Sequence, residues 1–191
     1  MYAFLVKITA ATLAPKLGCE QGSAPFEKLQ YGIYVFYLNT LKTLLLIVIS
    51  LILGILPYIA VFAFAYGSLR IYSFGVHLKS TWLCTLLGLA YYLGSTYLAL
   101  NVCIPIAVKA FIILLCAVCF FIYAPAQTRK RPIPEHQRKA LKPKSVAMFL
   151  VVTVCMFVLH NFPVYSSLVF MAAVCQTINL LPVTYKIFRE S

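Results

Sequence analysis

Apolar residues along the chain collect into long runs, at 43–69, 82–100, 102–124, 146–159 and 164–182, with short polar stretches between them. A helix rises ~1.5 Å per residue, so runs near ~20 residues match a hydrocarbon core ~30 Å thick. Backbone amides in lipid must be satisfied within their own segment, and the alternation of barrel strands is missing. The pattern therefore predicts an all-α, polytopic integral membrane protein.

The first run holds 27 residues between Lys42 and Arg70, enough for one tilted helix or for a hairpin of two short ones turning at Gly54 and Pro57. A single pass would set Lys16, Lys28 and Lys42 opposite every other basic cluster, whereas a hairpin keeps them together. The hairpin is the expectation. It brings the count to about six transmembrane helices, the first two short enough to thin the bilayer or pack inside the bundle. Ahead of them, residues 1–38 predict amphipathic interfacial helices. One carries Phe4, Leu5, Ile8 and Leu13 with Lys7 and Lys16. A second starts near Ser23, Pro25 and Glu27 and carries Phe26, Leu29, Ile33 and Phe36 at helical spacing. Their apolar faces suit either the membrane surface or a partner helix. The first 18 residues lack a basic segment ahead of a long apolar core, so they are expected to stay in the mature protein.

The stretch 128–144, TRKRPIPEHQRKALKPK, has seven Lys or Arg, three prolines and one glutamate, and reads as a basic linker. Basic loops favour the cytoplasmic side, which sets 128–144, the bend at 70–84, the tail at 183–191 and both termini there. The full division is 1–38, the hairpin 43–69, the loop and helix start 70–84, two crossings over 82–124, the linker 128–144, two crossings over 146–182, and the tail, all in one membrane-embedded domain.

With 63% hydrophobic residues the chain lies far outside the soluble range. A formal charge of +12 rests on 16 Lys and Arg against only Glu20, Glu27, Glu135 and Glu190. Such a balance favours anionic membrane lipids and acidic partners. Seven cysteines, mostly in apolar runs, do not form a secreted disulfide framework, and the Cys116 and Cys119 pair is read as packing. Metal-binding and nucleotide motifs are missing; no cofactor, no metal and no nucleic acid is expected.

Chemistry concentrates in RIYSFGVHLKSTWLC, residues 70–84. A histidine can take the proton of a cysteine thiol and leave the nucleophilic thiolate. On one straight helix His77 and Cys84 would stand ~10.5 Å apart by rise alone, too far for a hydrogen bond, so the histidine must precede the helix. Ser80 or Thr81 is a natural N-cap, which sets Cys84 in or near the first turn, where the helix dipole and Lys79 favour negative charge. Gly75 would let the loop fold back. Arg70 suits a substrate carboxylate, an oxyanion or the lipid interface. By residues alone, a loop histidine and a buried helix cysteine with no shared task is the favoured description. His136 and His160 read as surface or interface residues. Lys109, deep in the run 102–124, suits a transport pathway, snorkelling or a structural partner.

Over nearly its whole length the chain resembles the accessory gene regulator B (AgrB) peptidases, membrane cysteine endopeptidases of Gram-positive quorum sensing. The anchors are Arg70, Gly75, His77 and Cys84 in 70–84, YAPAQTRKRPIP over 123–134, and NLLP over 179–182. A looser match is Tyr31 and Gly32 with Asn39 and Lys42. One departure is FGVH at 74–77, where many members carry a small residue pair before the histidine.

The resemblance implies Cys84 as nucleophile, His77 as general base, and supporting positions at Arg70 and Gly75. It implies as substrate an AgrD-like precursor peptide with an amphipathic leader and an acidic C-terminal tail. Cys84 would cleave between core and tail through a thioester, and the core would cyclise to a thiolactone or lactone autoinducing peptide. It also implies a homodimer in the bacterial cell membrane. Lys79, Arg129, Lys130 and Arg131 then become candidate contacts for the acidic tail. The competing readings are a small peptide transporter or exporter, resting on Lys109 and the number of crossings, and a noncatalytic membrane scaffold.

Overall fold

The computed structural model describes residues 2–15, 18, 20, 23–75, 81–126 and 134–187. Among them the chain is helical apart from its turns and one isolated bridge between Phe74 and Ala126. The helices are α1 (Tyr2–Leu13), α2 (Ala24–Ile52), α3 (Leu56–Ser73), α4 (Thr81–Asn101), α5 (Ile106–Tyr123), α6 (Glu135–Val158), α7 (Pro163–Leu180) and α8 (Pro182–Ile187). Five of them, α2, α4, α5, α6 and α7, are long and apolar enough to cross a membrane. The sixth expected crossing corresponds to α3, which carries Arg70 in its last turn and falls outside that set. The protein is an all-α polytopic membrane protein.

The chain forms two compact units, Met1–Gly54 and Ile55–Ser191. In the first, α2 begins where Ser23, Pro25 and Glu27 predict, with the amide of Phe26 donating to Ser23 Oγ at 3.4 Å. The segment leading to Gly54 is not short, however: α2 runs for 29 residues, ~43 Å, as one helix. Between Pro25 and Gly54 there is no proline and only one glycine, Gly32, to break a helix, so the amphipathic start and the first apolar run share one helix. The break falls where expected, with Gly54 at φ +67 and Pro57 in the first turn of α3. Helix α1 packs on α2, and Thr9 Oγ1 pairs with Tyr37 Oη at 3.0 Å. Its buried face is Val6, Ala10 and Ala14, while Ile8, expected on the apolar face, is exposed. Small residues at a spacing of four allow a close helix approach that Ile8 would obstruct.

The second unit is organised around α7, which packs against α3, α4, α5 and α6 and buries residues all around its circumference. Lipid tails supply no hydrophobic drive for helices to associate, so the bundle relies on close packing and hydrogen bonds between helices. Helix α7 provides both. Ala172 and Ala173 are fully buried, and polar side chains reach each neighbour. Cys175 Sγ pairs with Ser95 Oγ of α4 at 3.3 Å, and Asn179 Nδ2 donates to Tyr66 Oη of α3 at 2.9 Å. Ser166 Oγ donates to the Met156 carbonyl of α6 at 3.0 Å and accepts from Lys109 Nζ of α5 at 3.2 Å.

The end of α3 is held from three directions. Ser145 Oγ of α6 donates to the Tyr72 carbonyl at 2.7 Å, and the Ala126 amide donates to the Ser73 carbonyl at 3.0 Å. Gln176 Nε2 of α7 donates to Ser73 Oγ at 2.7 Å and to the Phe74 carbonyl at 2.6 Å. Carbonyls at a helix end lack intrahelical donors, and these bonds satisfy them where water is scarce. Phe74 has φ +57 and Gly75 φ +127, so the chain leaves α3 through two residues in the left-handed region. The departure from the small-pair pattern thus falls on a non-glycine residue in a strained conformation, a cost of order 1–3 kcal/mol that the surrounding bonds offset.

The basic stretch 128–144 is not a linker throughout, since α6 begins at Glu135 with Pro134 at its N-cap. Proline is compatible with a helix start because no intrahelical donor is needed there. Arg138, Lys139, Lys142 and Lys144 therefore ride on the first turns of a helix.

Gly75 tests the turn. A Cβ there would stand 3.3 Å from both Asn179 Cβ and the Asn179 carbonyl, at a φ that disfavours side chains. Gly75→Ala should lower the stability of the detergent-solubilised protein by about 1–3 kcal/mol. Gly67→Ala and Gly94→Ala, where a Cβ would meet nothing within 4 Å, should hold or raise it. Thermal unfolding of the three variants in the same detergent checks the contrast.

Candidate active site

The described candidate residues divide between the turn that closes α3 and the start of α4. Gly75 is buried against α7, packed on Asn179 and near Gln176. His77, Lys79 and Ser80 lie outside the described residues, as do Arg129, Lys130 and Arg131. Cys84 is the fourth residue of α4, in the first turn as the N-cap argument expects. Its free thiol is half-buried. Gly88 and Tyr91 follow one and two turns on along the same face, which becomes fully buried at Ser95, Thr96 and Ala99.

Arg70 engages a tyrosine one turn back on its own helix. Its Nη1 turns back along α3 to donate to Tyr66 Oη at 2.7 Å, with the guanidinium carbon 5.8 Å from the Tyr66 ring centroid. The same phenol oxygen accepts from Asn179 Nδ2, so an arginine and an asparagine converge on one hydroxyl. Phe62 and Tyr92 close round Tyr66 with ring centroids 5.8 and 5.9 Å away. Arg70 and Gly75 are thus brought to one corner with Tyr66, Gln176 and Asn179, at the end of the bundle from which α4 starts.

Lys109 belongs to the opposite end. It sits in the first turn of α5, its amide bonding back to the Pro105 carbonyl, and its side chain is only 3% exposed. The ammonium donates to Ser166 Oγ, ten residues or ~15 Å along α7 from Gln176. It reads as a structural partner near a helix end rather than a charge in mid-membrane. Among the described residues of the second unit, the other lysines and arginines, Arg70, Arg138, Lys139, Lys142, Lys144 and Lys186, ride on the end of α3, the start of α6 and α8.

Gln176, Tyr66 and Ser73 were not singled out from the sequence, and Asn179 entered only through the NLLP match. A signal was present. Gln176 and Asn179 stand one turn apart inside an apolar run, and polar side chains within such runs face a bundle interior and find partners there. Which partners they find depends on how α7 is set against α3, which one helix cannot reveal.

Comparison with known proteins covers most of the chain. The family model described as Accessory gene regulator B matches residues 10–180. An AgrB-like protein of Listeria monocytogenes serotype 4a (strain HCC23) is 32% identical over 170 residues, 86% of this chain and 81% of its own length. The accessory gene regulator protein B of Staphylococcus intermedius is 31% identical over 158 residues, 83% of each chain. That of Staphylococcus aureus (strain bovine RF122 / ET3-1) is 28% identical over 160 residues, 84% of each. No solved structure matches. A match that runs from within α1 to the end of α7, and so takes in Arg70, Gly75, Cys84, Gln176 and Asn179, means that the chain belongs to the accessory gene regulator B family.

Proposed function

We propose that this protein is a membrane cysteine endopeptidase that removes the C-terminal tail of a ribosomally made signal precursor and promotes cyclisation of what remains. Two observations carry the reading, a first-turn Cys84 on α4 and a braced, left-handed turn at Phe74 and Gly75, two residues ahead of His77 in sequence. His77 takes the thiol proton, and Cys84 Sγ attacks the carbonyl carbon at the core–tail junction. The C–N bond breaks, the departing amine of the tail takes the proton from the imidazolium, and the core remains as a thioester on Sγ. A thiol or hydroxyl within the core then attacks the thioester carbonyl. Its proton passes through His77 to the leaving Cys84, and a thiolactone or lactone closes. Thioester exchange keeps most of the acyl energy, which water would dissipate, so a site at the edge of a packed bundle favours ring closure over hydrolysis.

The acidic tail is read by Lys79, Arg129, Lys130 and Arg131. Support comes from the Phe74–Ala126 bridge: Arg129 follows Ala126 by three residues, as His77 follows Phe74. Each span is at most ~10.5 Å of chain, which keeps the basic run within reach of the site. The basic side chains gathered at this end support a cytoplasmic placement of the active-site loop in the bacterial cell membrane, with an AgrD-like precursor docking from that side and anionic lipids as neighbours. The output is an autoinducing peptide for quorum sensing.

In proteoliposomes supplied with a precursor ending in an acidic tail, Cys84→Ala and His77→Ala should each slow tail release by about a hundredfold or more while remaining inserted and folded. Undiminished release by Cys84→Ala would sink the peptidase reading. Replacing Arg129, Lys130 and Arg131 together with Gln should slow cleavage severalfold at low ionic strength and leave a rate that depends little on salt. Equal rates for this variant and the unaltered protein at low salt would remove the basic run from substrate binding.

A further inference from the structure

Helix α4 is long and apolar enough to cross a membrane, yet the bundle covers only its second half. Ser95, Thr96 and Ala99 are buried, and none of its residues ahead of Ser95 is. Trp82, Leu83 and Leu86 are exposed on one side. Cys84, Gly88, Tyr91 and Tyr92 lie on the other, at helical spacing from the buried Ser95 and Ala99, so they face the interior of the bundle.

Between Cys84 and Tyr92 this inward face carries a glycine. A Cβ on Gly88 would meet nothing within 4 Å, so the space in front of it is unfilled by the described residues. One turn further on the space closes. The Tyr92 ring stands edge-on to Phe62 and Tyr66 of α3, with centroids 5.3 and 5.9 Å away, and α4 packs on α3 and α7. A cleft therefore runs from the Cys84 thiol past Gly88 to an aromatic floor, eight residues or ~12 Å along the helix.

The floor also holds a hydrogen-bond donor. Tyr66 Oη accepts from Arg70 Nη1 and from Asn179 Nδ2, and the same Nδ2 donates to the Cys175 carbonyl at 3.0 Å, which fixes the orientation of the amide. A phenol oxygen that accepts twice keeps its own proton for a further acceptor. A main-chain carbonyl suits that proton. A run of carboxylates does not suit the cleft, because each buried charge needs a partner and Arg70, already engaged with Tyr66, answers at most one. An extended chain advances ~3.3–3.6 Å per residue, so the length accommodates about three or four residues.

We propose that this cleft on the inward face of α4, open at Gly88, seats the last residues of the precursor core, those that directly precede the scissile bond. The assignment rests on the peptidase reading above. It makes Gly88 a specificity-determining position: with no side chain there, the core lies along α4 with the reacting carbonyl at Cys84 and its other end over Tyr66. The acidic tail then leaves the site in the other direction, away from the aromatic floor.

The test uses the full-length protein in proteoliposomes with the acidic-tailed precursor, measuring kcat and KM for tail release by the unaltered protein, G88A, G88L and G94L. Gly94 lies on the same helix but is exposed, and a Cβ there would also meet nothing within 4 Å, so G94L makes the same helical change outside the cleft. Exchanging a helical glycine for a better helix former should hold or raise thermal stability in all three variants, which separates loss of binding from loss of fold.

G88L should raise KM about tenfold or more and G88A about threefold, with kcat within about threefold, while G94L stays within about twofold in both. A precursor whose last four core residues are alanine or glycine should narrow the gap between G88L and the unaltered protein to about threefold or less, because a thinner chain needs less room. An inserted G88L protein with unchanged KM would overturn the proposal. So would equal losses in G88L and G94L, or a gap that narrows when the tail is trimmed and not when the core is thinned, which is the result for a cleft that holds the tail. Should G88L not accumulate in the membrane, the KM of G88A with the two precursors decides. Cys84→Ala is measured alongside: cleavage that survives it defeats the peptidase reading itself, whereas cleavage that needs Cys84 but ignores residue 88 defeats only this assignment.

Discussion

Two hydrogen bonds from one amide, Gln176 Nε2 to Ser73 Oγ and to the Phe74 carbonyl, close the end of a helix where lipid and packed side chains leave little water to do so. Unsatisfied carbonyls are expensive in such surroundings, so a chain that must turn here needs donors from elsewhere. They arrive from α6 through Ser145, from the segment after α5 through Ala126, and from α7 through Gln176. Three separate segments thus hold one turn. That convergence lets Phe74 and Gly75 stay in the left-handed region at the end of α3.

Helix α7 makes this possible because it is apolar enough to sit in a membrane and polar enough to bind its neighbours. Serine, cysteine, glutamine and asparagine side chains along it make bonds to α3, α4 and α6, and receive one from α5. Its two ends differ in character. The Ser166 end links Lys109 and the Met156 carbonyl through one hydroxyl. The Gln176 and Asn179 end holds Arg70 through Tyr66 and leaves Gln176 Oε1 without a hydrogen-bond partner among the described residues. The proposed chemistry occupies the Gln176 end, and among the described residues most of the second unit's basic side chains gather there too.

Much of the fold was legible from periodicity alone. Apolar runs became α4, α5 and α7 within a few residues and the greater part of α6, which starts eleven residues ahead of its run, while Ser23 marked the start of α2, and Gly54 with Pro57 marked its break from α3. What pattern missed depends on tertiary partners. The amphipathic start and the first apolar run share one 29-residue helix because nothing between them breaks it. The inward face of α1 is set by small residues, which a hydrophobicity pattern undervalues. Lys109 looked like a mid-membrane charge because the apolar run extends ahead of α5, whose helix begins only at Ile106. At the candidate site the geometry of helix and loop set Cys84 in a first turn, but Gln176 lies 92 residues further along the chain, and no local pattern joins the two.

The central claim is that Cys84 carries the core of a precursor as a thioester, and trapping that species is the most direct measurement. A precursor whose ring-closing cysteine or serine is replaced by alanine cannot complete cyclisation, so the acyl-enzyme should accumulate. Intact mass spectrometry of the quenched protein should then show an added mass equal to the precursor without its tail, located on Cys84, released by hydroxylamine and missing from Cys84→Ala. Tail release at an undiminished rate with no such adduct, or an adduct on another residue, would contradict the account.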